Sequence, residues 1–426
     1  MSINDSFITY IELSYMKELG LLKTIIFIGT NKSGSSREAI RAAERLGYFT
    51  VLFTNNERQI QQRKEYVDVH EMTLVDTTNL AAMRKEIRLL QSKGNEIMTI
   101  ASFVDSNVAR ALKLCEEFCP NGTSSSAVDI MENKAGTRAS LNGLPYTPKF
   151  ITLPPKVKLE PSTIEVFPRF PLIVKSSSST GSKDVLQASD LEQLKRHIRK
   201  LNEKDPDESI IIEEFIEGDQ YLVEAIVHEK KIQIAGVIQQ EITYGKRFII
   251  TGYGVLAIVP KQLNDSIMEV LSAIIEKFDI RNGALHVEMR LTDNGWRIIE
   301  INPRISGGAM NNMLKAAFGF DLVEETLKLY LGEKPSLTHK HRHFVFTQYV
   351  ILDKKGILEK VTGKNRARKS PGVVEVYVKP KKGTQLMPPL SMGHRYAYVI
   401  AQGRTLELAK SLAKKAAKEI HFHLKQ

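Results

Sequence analysis

Two apolar segments on either side of the tripeptide Asp293-Asn294-Gly295 constrain the fold of this chain more than any other feature. The segments read LHVEMRL before the tripeptide and WRIIEIN after it. A short turn containing Asn-Gly between two such segments is a strong indication of a hairpin. We therefore predict an antiparallel β-hairpin at this place, built into the sheet of a larger domain.

The polar side chains of this hairpin are expected on one face of the sheet. Because side chains alternate along a strand, Glu300 and Asn302 point the same way, and Glu288 on the neighbouring strand can reach that face. Two carboxylates and an amide oxygen are the hard ligands that Mg²⁺ prefers. Arg304 follows two residues later, and an arginine beside an acidic metal cage is typical of phosphoryl transfer. The hairpin thus predicts a magnesium site that handles phosphate.

The alternative is an ordinary hairpin whose polar face is solvated. Against this alternative, Glu300 is flanked by isoleucines, and an unpaired carboxylate on a buried face is costly. The pair Gly307-Gly308 then precedes a helix that we expect to begin near Ala309. We therefore prefer the metal site to the solvated face.

Composition places the chain among globular proteins. It has 426 residues, enough for several domains, with 42% hydrophobic and 26% charged residues. No apolar run approaches the roughly 18 residues of a membrane span, and the N-terminus lacks the order of a secretory signal. Cys115 and Cys119 lie four residues apart in a predicted helix, and we find no further ligands for a metal beside them. We interpret them as core thiols of a cytoplasmic protein with no membrane part.

Positive charge is concentrated in the last part of the chain. Residues 336–426 contain 19 Lys and Arg against 5 Asp and Glu, whereas residues 1–335 contain 41 against 44. Nucleic-acid binding is one use of such a surface. The region has no zinc pattern and no aromatic RNA-binding motif, so a wall facing anionic phosphates or a solvated surface explains the charge as well. Nucleic acid is therefore a disfavoured partner.

Strand and helix patterns alternate through residues 24–121, beginning with the buried strand TIIFIG and the helix SREAIRAAERLG. This alternation predicts βαβ units around a parallel sheet. Beyond it the chain becomes rich in Pro and Ser, then β-rich, then basic. The predicted parts are an N-terminal extension (1–23), an N-terminal α/β domain (24–121), a mobile lid subdomain (122–208), a β-rich catalytic subdomain (209–331) and a basic α+β domain (332–426).

The turn after the first strand, at residues 29–36, is rich in Gly and Ser. It is not a Walker loop, because Ser35 stands where a lysine is required. Nor does it have the glycine spacing of a dinucleotide-binding turn. We expect it at the carboxyl edge of the parallel sheet, where it can contact substrate.

Two lysines and one extended segment form a second group of candidates. Lys175 ends the predicted strand PLIVK and precedes a turn at residues 176–182, whose small residues leave backbone N–H groups for phosphate. Lys134 lies upstream, in MENKAGTRASL. Either lysine alone is explained equally by solvent exposure. The segment from Glu213 to Ile216 offers backbone donors and acceptors to a flat base.

The order of these elements resembles the ATP-grasp superfamily over residues 24–331. The order is Lys134, Lys175 with its Ser and Gly turn, Glu213 to Gly218, Glu288, and then Glu300-x-Asn302-x-Arg304. The resemblance implies a multidomain fold of α/β and α+β type. In it, an N-terminal parallel α/β domain precedes a mobile ATP lid and a catalytic subdomain, and an α+β domain ends the chain.

The resemblance also implies ligands and roles. ATP is expected with two Mg²⁺ ions, for which Mn²⁺ is an alternative. Glu288, Glu300 and Asn302 are implied as metal ligands, and Arg304, Lys175 and Lys134 as catalytic residues. Arg304, Ser306, Gly307 and Gly308 are implied to bind substrate. The residues implied to contact ATP are Lys134, Lys175, Ser176, Ser179, Gly181, Ser182, Glu213, Glu214, Phe215, Ile216 and Gln220. Many family members have Glu rather than Gln at the last of these positions, where the side chain binds ribose.

Within the superfamily, the chain is most similar to the L-amino-acid ligases that make dipeptides. The segment IIEINPRISGG, the overall length and the tail GHRYAYVIAQGRTLELAKSLAKKA carry this narrower resemblance. It implies a ligase that joins two amino acids through an acyl phosphate. It is also compatible with a homodimer. Purine-pathway carboxylate–amine ligases and biotin carboxylases remain as alternatives. A non-catalytic nucleotide-binding module with a nucleic-acid surface is the alternative of a different class.

Three further side chains have two interpretations each. His286 lies two residues before Glu288 and can assist proton transfer or be a structural histidine. Arg290 can be a catalyst or a charge partner of the acidic cage, and we expect the charge partner. Glu241 can face an amine substrate or lie in a solvated loop.

Overall fold

The structure is a computed structural model that describes residues 22–120, 125–157, 159–178, 184–244, 248–389 and 392–425. Its strands are β1 (Leu22–Ile28), β2 (Phe49–Thr54), β3 (Glu71–Leu74), β4 (Asn95–Ala101), β5 (Phe150–Leu153), β6 (Leu172–Ser176), β7 (Val185–Ala188), β8 (Ile210–Glu214), β9 (Asp219–His228), β10 (Lys231–Tyr244), β11 (Phe248–Val255), β12 (Gly283–Thr292), β13 (Gly295–Asn302), β14 (Phe344–Val350), β15 (Gly356–Thr362), β16 (Val373–Val378), β17 (Gln385–Leu386), β18 (Ala397–Gly403) and β19 (His421–Lys425).

The α-helices connect these strands and cover their faces. They are α1 (Ser35–Arg45), α2 (Glu57–Gln61), α3 (Leu80–Ser92), α4 (Val108–Phe118), α5 (Ser126–Glu132), α6 (Lys134–Leu141), α7 (Leu191–Lys204), α8 (Lys261–Lys277), α9 (Met310–Phe318), α10 (Leu322–Tyr330), α11 (Lys364–Arg368) and α12 (Leu406–Ala417). In the described part of the chain, no helix combines the length and the apolar character needed to cross a membrane.

The first sheet is parallel, with strand order β3-β2-β1-β4. Helix α1 connects β1 to β2, α3 connects β3 to β4, and α4 follows β4, so the predicted βαβ alternation is confirmed. Helix α3 begins after Asn79, whose side chain accepts a hydrogen bond from the backbone N–H of Ala82. The turn between β1 and α1 lies at the carboxyl end of β1, as predicted. Cys115 on α4 is buried and Cys119 is partly exposed, and both are free thiols.

A small antiparallel sheet follows, with strand order β5-β8-β6-β7. Helix α7 packs on it through Leu194, Ile198 and Leu201, which recur at helical spacing and are buried. Strand β8 belongs to this sheet, although it lies beyond the boundary predicted at residue 208. The division of the chain into domains stays a prediction.

The largest sheet has eight antiparallel strands in the order β13-β12-β9-β10-β11-β14-β18-β16. Strand β11 pairs with β14, so this sheet continues across the predicted boundary at residue 331. Successive side chains of β9 are buried on opposite faces. Leu222 and Ile226 pack in the core with α9 and α10, while Val223 and Val227 pack in the core with α8. A third, smaller sheet of β17, β15 and β19 lies in the C-terminal part.

The predicted hairpin is confirmed as β12 and β13. Thr292 pairs with Gly295 across the turn, and Glu288 lies directly opposite Glu300. Gly295 has a φ of 86°, which favours glycine at this turn position. The predicted helix after the Gly pair begins at Met310. The hairpin forms one edge of the large sheet, and this places its polar face beside the small sheet and the first domain.

Candidate functional site

The candidate site is a polar strip on one face of three adjacent strands. Opposed residues of antiparallel strands share a face, and the pairing places Glu288 opposite Glu300, His286 opposite Asn302, and Glu224 of β9 opposite His286. The two predicted metal carboxylates and the predicted amide ligand therefore lie together, as the hairpin register requires.

Glu288 and Glu300 are only partly buried. Their side chains are 23% and 30% exposed. Lys134, at the first turn of α6, approaches Glu300 with 3.0 Å between its Nζ and Oε1. A predicted phosphate-binding lysine and a predicted metal carboxylate thus meet across two elements of the fold. The partial exposure leaves room for a ligand at this pair.

Gln220 lies beside Glu288. Its Nε2 donates to Oε2 of Glu288 at 3.1 Å, and its Oε1 accepts from Nε of Arg290 at 3.0 Å. Arg290 also donates to the backbone carbonyl of Ile216 and lies 5.5 Å from the ring centre of Phe215. Gln220 is thus fixed between the predicted metal site and the predicted adenine segment, and its contact with ribose stays a prediction.

His286 has a carboxylate at each ring nitrogen. Nδ1 lies 2.6 Å from Oε1 of Glu224, and Nε2 lies 3.4 Å from Oε1 of Glu288. Burial alone would lower the pKa of His286, but the two carboxylates raise it to about 10. The second oxygen of Glu224 accepts from the backbone N–H of Ser306 at 3.1 Å. His286 therefore joins the predicted metal site to the segment that we expect to hold substrate.

A second group of charges lies in the interior, between the small sheet and α6. The carboxylate of Glu213 contacts Lys175 Nζ at 2.8 Å and Arg138 Nε at 2.5 Å. Burial would raise the pKa of Glu213, but Arg138 and Lys175 lower it to about 2. Arg138 also donates to the carbonyl of Ile299 at 2.7 Å, which ties this group to the hairpin. The acidic side chain predicted to contact adenine is thus engaged by two cations.

The remaining ATP candidates lie at both ends of β6, because Glu214 pairs with Leu172 at the start of this strand. Ser176 is buried at the end of this strand. The next residue, Ser177, accepts a backbone hydrogen bond from Lys134 at 3.1 Å, and its hydroxyl donates to Glu208. Oε1 of Glu214 accepts from the backbone N–H of Lys149 at 2.8 Å. The predicted ATP contacts that lie outside the described residues are Ser179, Gly181 and Ser182.

Arg304 is held from the first domain. Its Nε donates to the carboxylate of Asp105, which lies in a turn after β4, and its Nη1 donates to the carbonyl of Ile305 at 3.0 Å. Burial would lower the pKa of Arg304, but Asp105 raises it. Arg304 is therefore a fixed cation that lies two residues beyond the polar strip.

The segment Ser306–Gly308 is fixed by the turn after β1. The carbonyl of Ser306 accepts from the Ser35 hydroxyl at 2.5 Å and from Nδ2 of Asn311 at 3.1 Å. A Cβ added to Gly34 would lie 3.3 Å from the backbone nitrogen of Gly308, so the two glycines allow a close approach. The turn therefore lies against the predicted substrate segment, and its contact with substrate stays a prediction.

The oxygen donors of the strip suit a hard cation. In the part of the chain that the structure describes, no three His, Cys, Asp or Glu side chains converge to hold a metal ion. The predicted set consists of two carboxylates, Glu288 and Glu300, and the amide oxygen of Asn302. Oxygen ligands of this kind fit Mg²⁺, which keeps several waters and binds phosphates rather than a complete protein cage.

Sequence reasoning missed three residues that organise the site. Arg138, Glu224 and Asp105 contact Glu213, His286 and Arg304 from 75, 62 and 199 residues away. Arg138 has one local indication, since it lies one helical turn after Lys134. The other two have none. Glu241, for which two interpretations were open, lies on β10 and pairs with Lys410 and Lys414 of α12.

Two family profiles match the chain. The profile of the ATP-grasp domain matches residues 168–312, and that of the L-amino acid ligase C-terminal domain 2 matches residues 348–425. The first covers the small-sheet strands after residue 168, the polar strip and the start of α9. The second covers the strands and helices of the basic C-terminal part.

Curated relatives are distant. An uncharacterized protein of Sinorhizobium fredii is 25% identical over 362 residues, which cover 83% of this chain and 74% of that protein. The carbamoyl phosphate synthase large chain of Caldanaerobacter subterraneus is 21% identical over 329 residues, and these cover 74% of this chain but 29% of that one. This chain therefore corresponds to only a part of such longer relatives.

Solved structures are similar over nearly the whole chain. L-amino acid ligase from Bacillus licheniformis has a TM-score of 0.78 and 20% identity, with 95% of this chain and 99% of that chain covered. Phosphoribosylglycinamide synthetase from Anaerococcus prevotii has a TM-score of 0.73 and 18% identity, with 95% and 100% covered. At these identities the likeness concerns the fold, and the predicted fold class is confirmed.

Proposed function

Because the chain belongs to the ATP-grasp superfamily, we propose that it is an ATP-dependent carboxylate–amine ligase that joins two L-amino acids into a dipeptide. The opposed pair Glu288 and Glu300, with Lys134 3.0 Å from Glu300, is the observation that carries this proposal. Two partly exposed carboxylates beside a lysine are suited to bind a nucleotide phosphate together with its metal ion. The C-terminal domain matched to L-amino acid ligases supports amino acids as the substrates.

In the first step, a carboxylate oxygen of one substrate attacks the γ-phosphorus of ATP. The bond from this phosphorus to the bridging oxygen breaks, ADP leaves, and an acyl phosphate forms. Two anions must approach each other, so Lys134, Lys175 and Arg304 offset their repulsion. The salt bridge to Asp105 keeps Arg304 in place. Because the N–H of Ser306 donates to Glu224, the backbone N–H groups of Gly307 and Gly308 are the ones that would hold the carboxylate.

Glu288, Glu300 and Asn302 would hold Mg²⁺, which neutralises phosphate charge when bound. His286 and Gln220 orient Glu288 from two sides, since each contacts one of its oxygens. Arg138 and Lys175 neutralise Glu213 in the interior, and this fixes the position of the Lys175 ammonium. These contacts fix the polar groups before the reaction. Such preorganisation is the main source of electrostatic catalysis.

In the second step, the amine nitrogen of the other substrate attacks the acyl carbon. The bond from this carbon to the phosphate oxygen breaks, phosphate leaves, and the nitrogen loses a proton. Water competes with the amine at the acyl phosphate, so the small sheet and its loop are expected to close over the site. The two free thiols support a reducing compartment such as the cytoplasm.

Phosphate release from ATP over a panel of amino acids, offered singly and in pairs, tests this function. We expect release that requires two amino acids, with a dipeptide detected by mass spectrometry. Release that requires an amino-sugar phosphate or an aminoimidazole ribonucleotide would replace dipeptide formation by a purine-type ligation. No release with any candidate, together with salt-sensitive binding of DNA or RNA, would contradict ligase activity altogether.

A further inference from the structure

A cavity of about 460 Å³ adjoins the candidate site at Gly308. Its wall includes Ser35 from the turn after β1, Asn312 of α9, and side chains from β14, β16 and β18. Of the residues proposed for metal, phosphate and carboxylate that the structure describes, only Gly308 takes part in its lining. The cavity therefore lies next to the place where the acyl phosphate would form, on the side away from the nucleotide.

Three tyrosines form the floor of the cavity. Tyr377, Tyr398 and Tyr349 are register partners on the adjacent strands β16, β18 and β14. The ring centres of Tyr377 and Tyr398 are 5.2 Å apart, and those of Tyr398 and Tyr349 are 5.9 Å apart. The planes of Tyr377 and Tyr398 differ by 25°, whereas those of Tyr398 and Tyr349 differ by 69°, so the row offers both ring faces and ring edges to an organic ligand.

The wall carries two carboxylates, and of these Glu38 contacts Arg41 of the same wall at 2.7 Å, whereas Glu375 is held by neutral groups. Oε1 of Glu375 accepts from the hydroxyl of Tyr398 at 2.8 Å, and Oε2 accepts from Nδ2 of Asn312 at 2.8 Å. Neither of these two hydrogen-bond partners is charged, so they orient the carboxylate without an ion pair. Asn312 lies in the first turn of α9 and lines the cavity together with Gly308, which places Glu375 near the reactive end of the cavity.

The wall also carries an oriented cation. The guanidinium of Arg395 lies 3.9 Å from the ring centre of Tyr349, and its Nη1 donates to the hydroxyl of Tyr253 at 3.4 Å. Stacking on Tyr349 and this hydrogen bond fix the plane of the guanidinium, which places its positive charge in the wall of the cavity. Lys379 adds further positive charge to the same wall.

We propose, on the basis of the ligase function above, that this cavity binds the amine substrate and selects an α-amino acid, or a short peptide with a free N-terminus. Glu375 attracts the ammonium toward Gly308, Arg395 receives the carboxylate, and the tyrosine row carries the side chain. A volume of about 460 Å³ accommodates a ligand larger than a single small amino acid. Simple amines without a carboxylate would lose the contact with Arg395.

Hydroxylamine separates this inference from the proposed function. It traps acyl phosphates as hydroxamates and is too small to need the cavity. We expect wild-type enzyme to form a hydroxamate from its carboxylate substrate, ATP and hydroxylamine. With the amino acid as nucleophile, we expect a KM about tenfold lower than with the same amino acid as its α-amide, since one charge-assisted contact is lost.

Glu375→Gln tests the anionic end of the cavity. The ratio of kcat/KM for the amino acid to kcat/KM for hydroxylamine should fall about tenfold or more in this variant. Glu359→Gln is the matched control, because Glu359 is exposed on β15 outside the cavity, and its ratio should equal that of wild type.

Each outcome of this experiment is decisive. An unchanged ratio in Glu375→Gln, or equal KM values for the amino acid and its α-amide, overturns the inference and leaves the ligase function intact. Glu375→Gln can also reduce hydroxamate formation as much as it reduces the reaction with the amino acid. That result shows that the cavity binds the acyl substrate, and it overturns the inference as well. Wild-type enzyme that forms no hydroxamate with any carboxylate overturns the proposed function, and the inference with it.

Discussion

The carboxylate of Glu213 and the carboxylates of Glu288 and Glu300 lie within the same candidate site and differ in their environment. Glu213 is 6% exposed and contacts two cations, Arg138 and Lys175. Glu288 and Glu300 are 23% and 30% exposed. Glu288 contacts His286 and Gln220, and Glu300 contacts Lys134. The first group is fully compensated within the protein. The second retains accessible oxygens.

This difference separates structural charge from ligand-binding charge. A buried carboxylate is tolerated only when cations or hydrogen bonds compensate it, so Glu213 is expected to contribute to stability and to the position of Lys175. A half-exposed carboxylate retains its hydration and can exchange water for a metal and phosphate. Substitutions in the two groups should therefore affect different measurements.

Glu300→Gln gives the largest expected effect, which is on activity. Removal of the charge weakens the predicted metal site while the side chain keeps its shape. We expect kcat for phosphate release to fall roughly 10³-fold, with the free energy of unfolding nearly unchanged. Glu269→Gln on the exposed surface of α8 serves as the control. Wild-type turnover in Glu300→Gln would remove Glu300 from the proposed site.

Glu213→Gln gives the next largest effect, which is on stability. It leaves Arg138 and Lys175 buried without their shared carboxylate. We expect a loss of roughly 3 kcal/mol in the free energy of unfolding, measured by urea denaturation. Glu203→Gln, on the exposed surface of α7, should change stability by less than about 0.5 kcal/mol. Equal stabilities of the two variants would contradict the buried role of Glu213.

The same carboxylate predicts a dependence of stability on pH. The pKa of Glu213 falls from 4.5 to about 2 on folding, so its contribution is fully present above pH 4.5 and is lost as pH falls toward 2. Between pH 4.5 and about pH 3, wild type should lose about 2 kcal/mol relative to Glu213→Gln. A constant difference between the two proteins over this range would contradict the ionised state of Glu213.

Asp105→Asn gives the smallest expected effect. It keeps a hydrogen-bond acceptor for Arg304 but removes the charge that fixes it. We expect kcat to fall about tenfold, with the KM for ATP unchanged, because the substrate-side cation is misplaced and the nucleotide contacts are not. If the KM for ATP rises by a larger factor than kcat falls, Asp105 acts on nucleotide binding and not on the position of Arg304.

Local patterns were sufficient to predict the hairpin and the alternating first domain. The Asn-Gly turn predicts the pairing of β12 with β13. It does not predict the β-bulge between Glu288 and Met289, which shifts the register by one residue and brings Glu288 opposite Glu300. Likewise, the alternation of strand and helix patterns over residues 24–121 predicts the parallel first sheet. Asn79, which caps α3, is a local signal of the same kind. Turn chemistry and side-chain periodicity are properties of a few neighbouring residues, so a sequence contains them directly.

Contacts between distant segments could not be predicted in this way. Asp105 reaches Arg304 across 199 residues, and Ser35 reaches the carbonyl of Ser306 across 271. Such pairs depend on how the first domain packs against the large sheet. The same holds for the pairing of β11 with β14, which extends that sheet into the basic C-terminal part. Glu375 became a candidate only because this extension brings β16 and β18 beside Gly308.

Transfer of ¹⁸O from the acid substrate to phosphate tests the central claim most directly. Wild-type enzyme is supplied with ATP, an amino acid labelled with ¹⁸O in its carboxylate, and an unlabelled amino acid as the amine. Activation through an acyl phosphate predicts one ¹⁸O in each phosphate released, in step with dipeptide formation. Dipeptide formation with unlabelled phosphate, or no turnover with any pair, would contradict the proposed ligase mechanism.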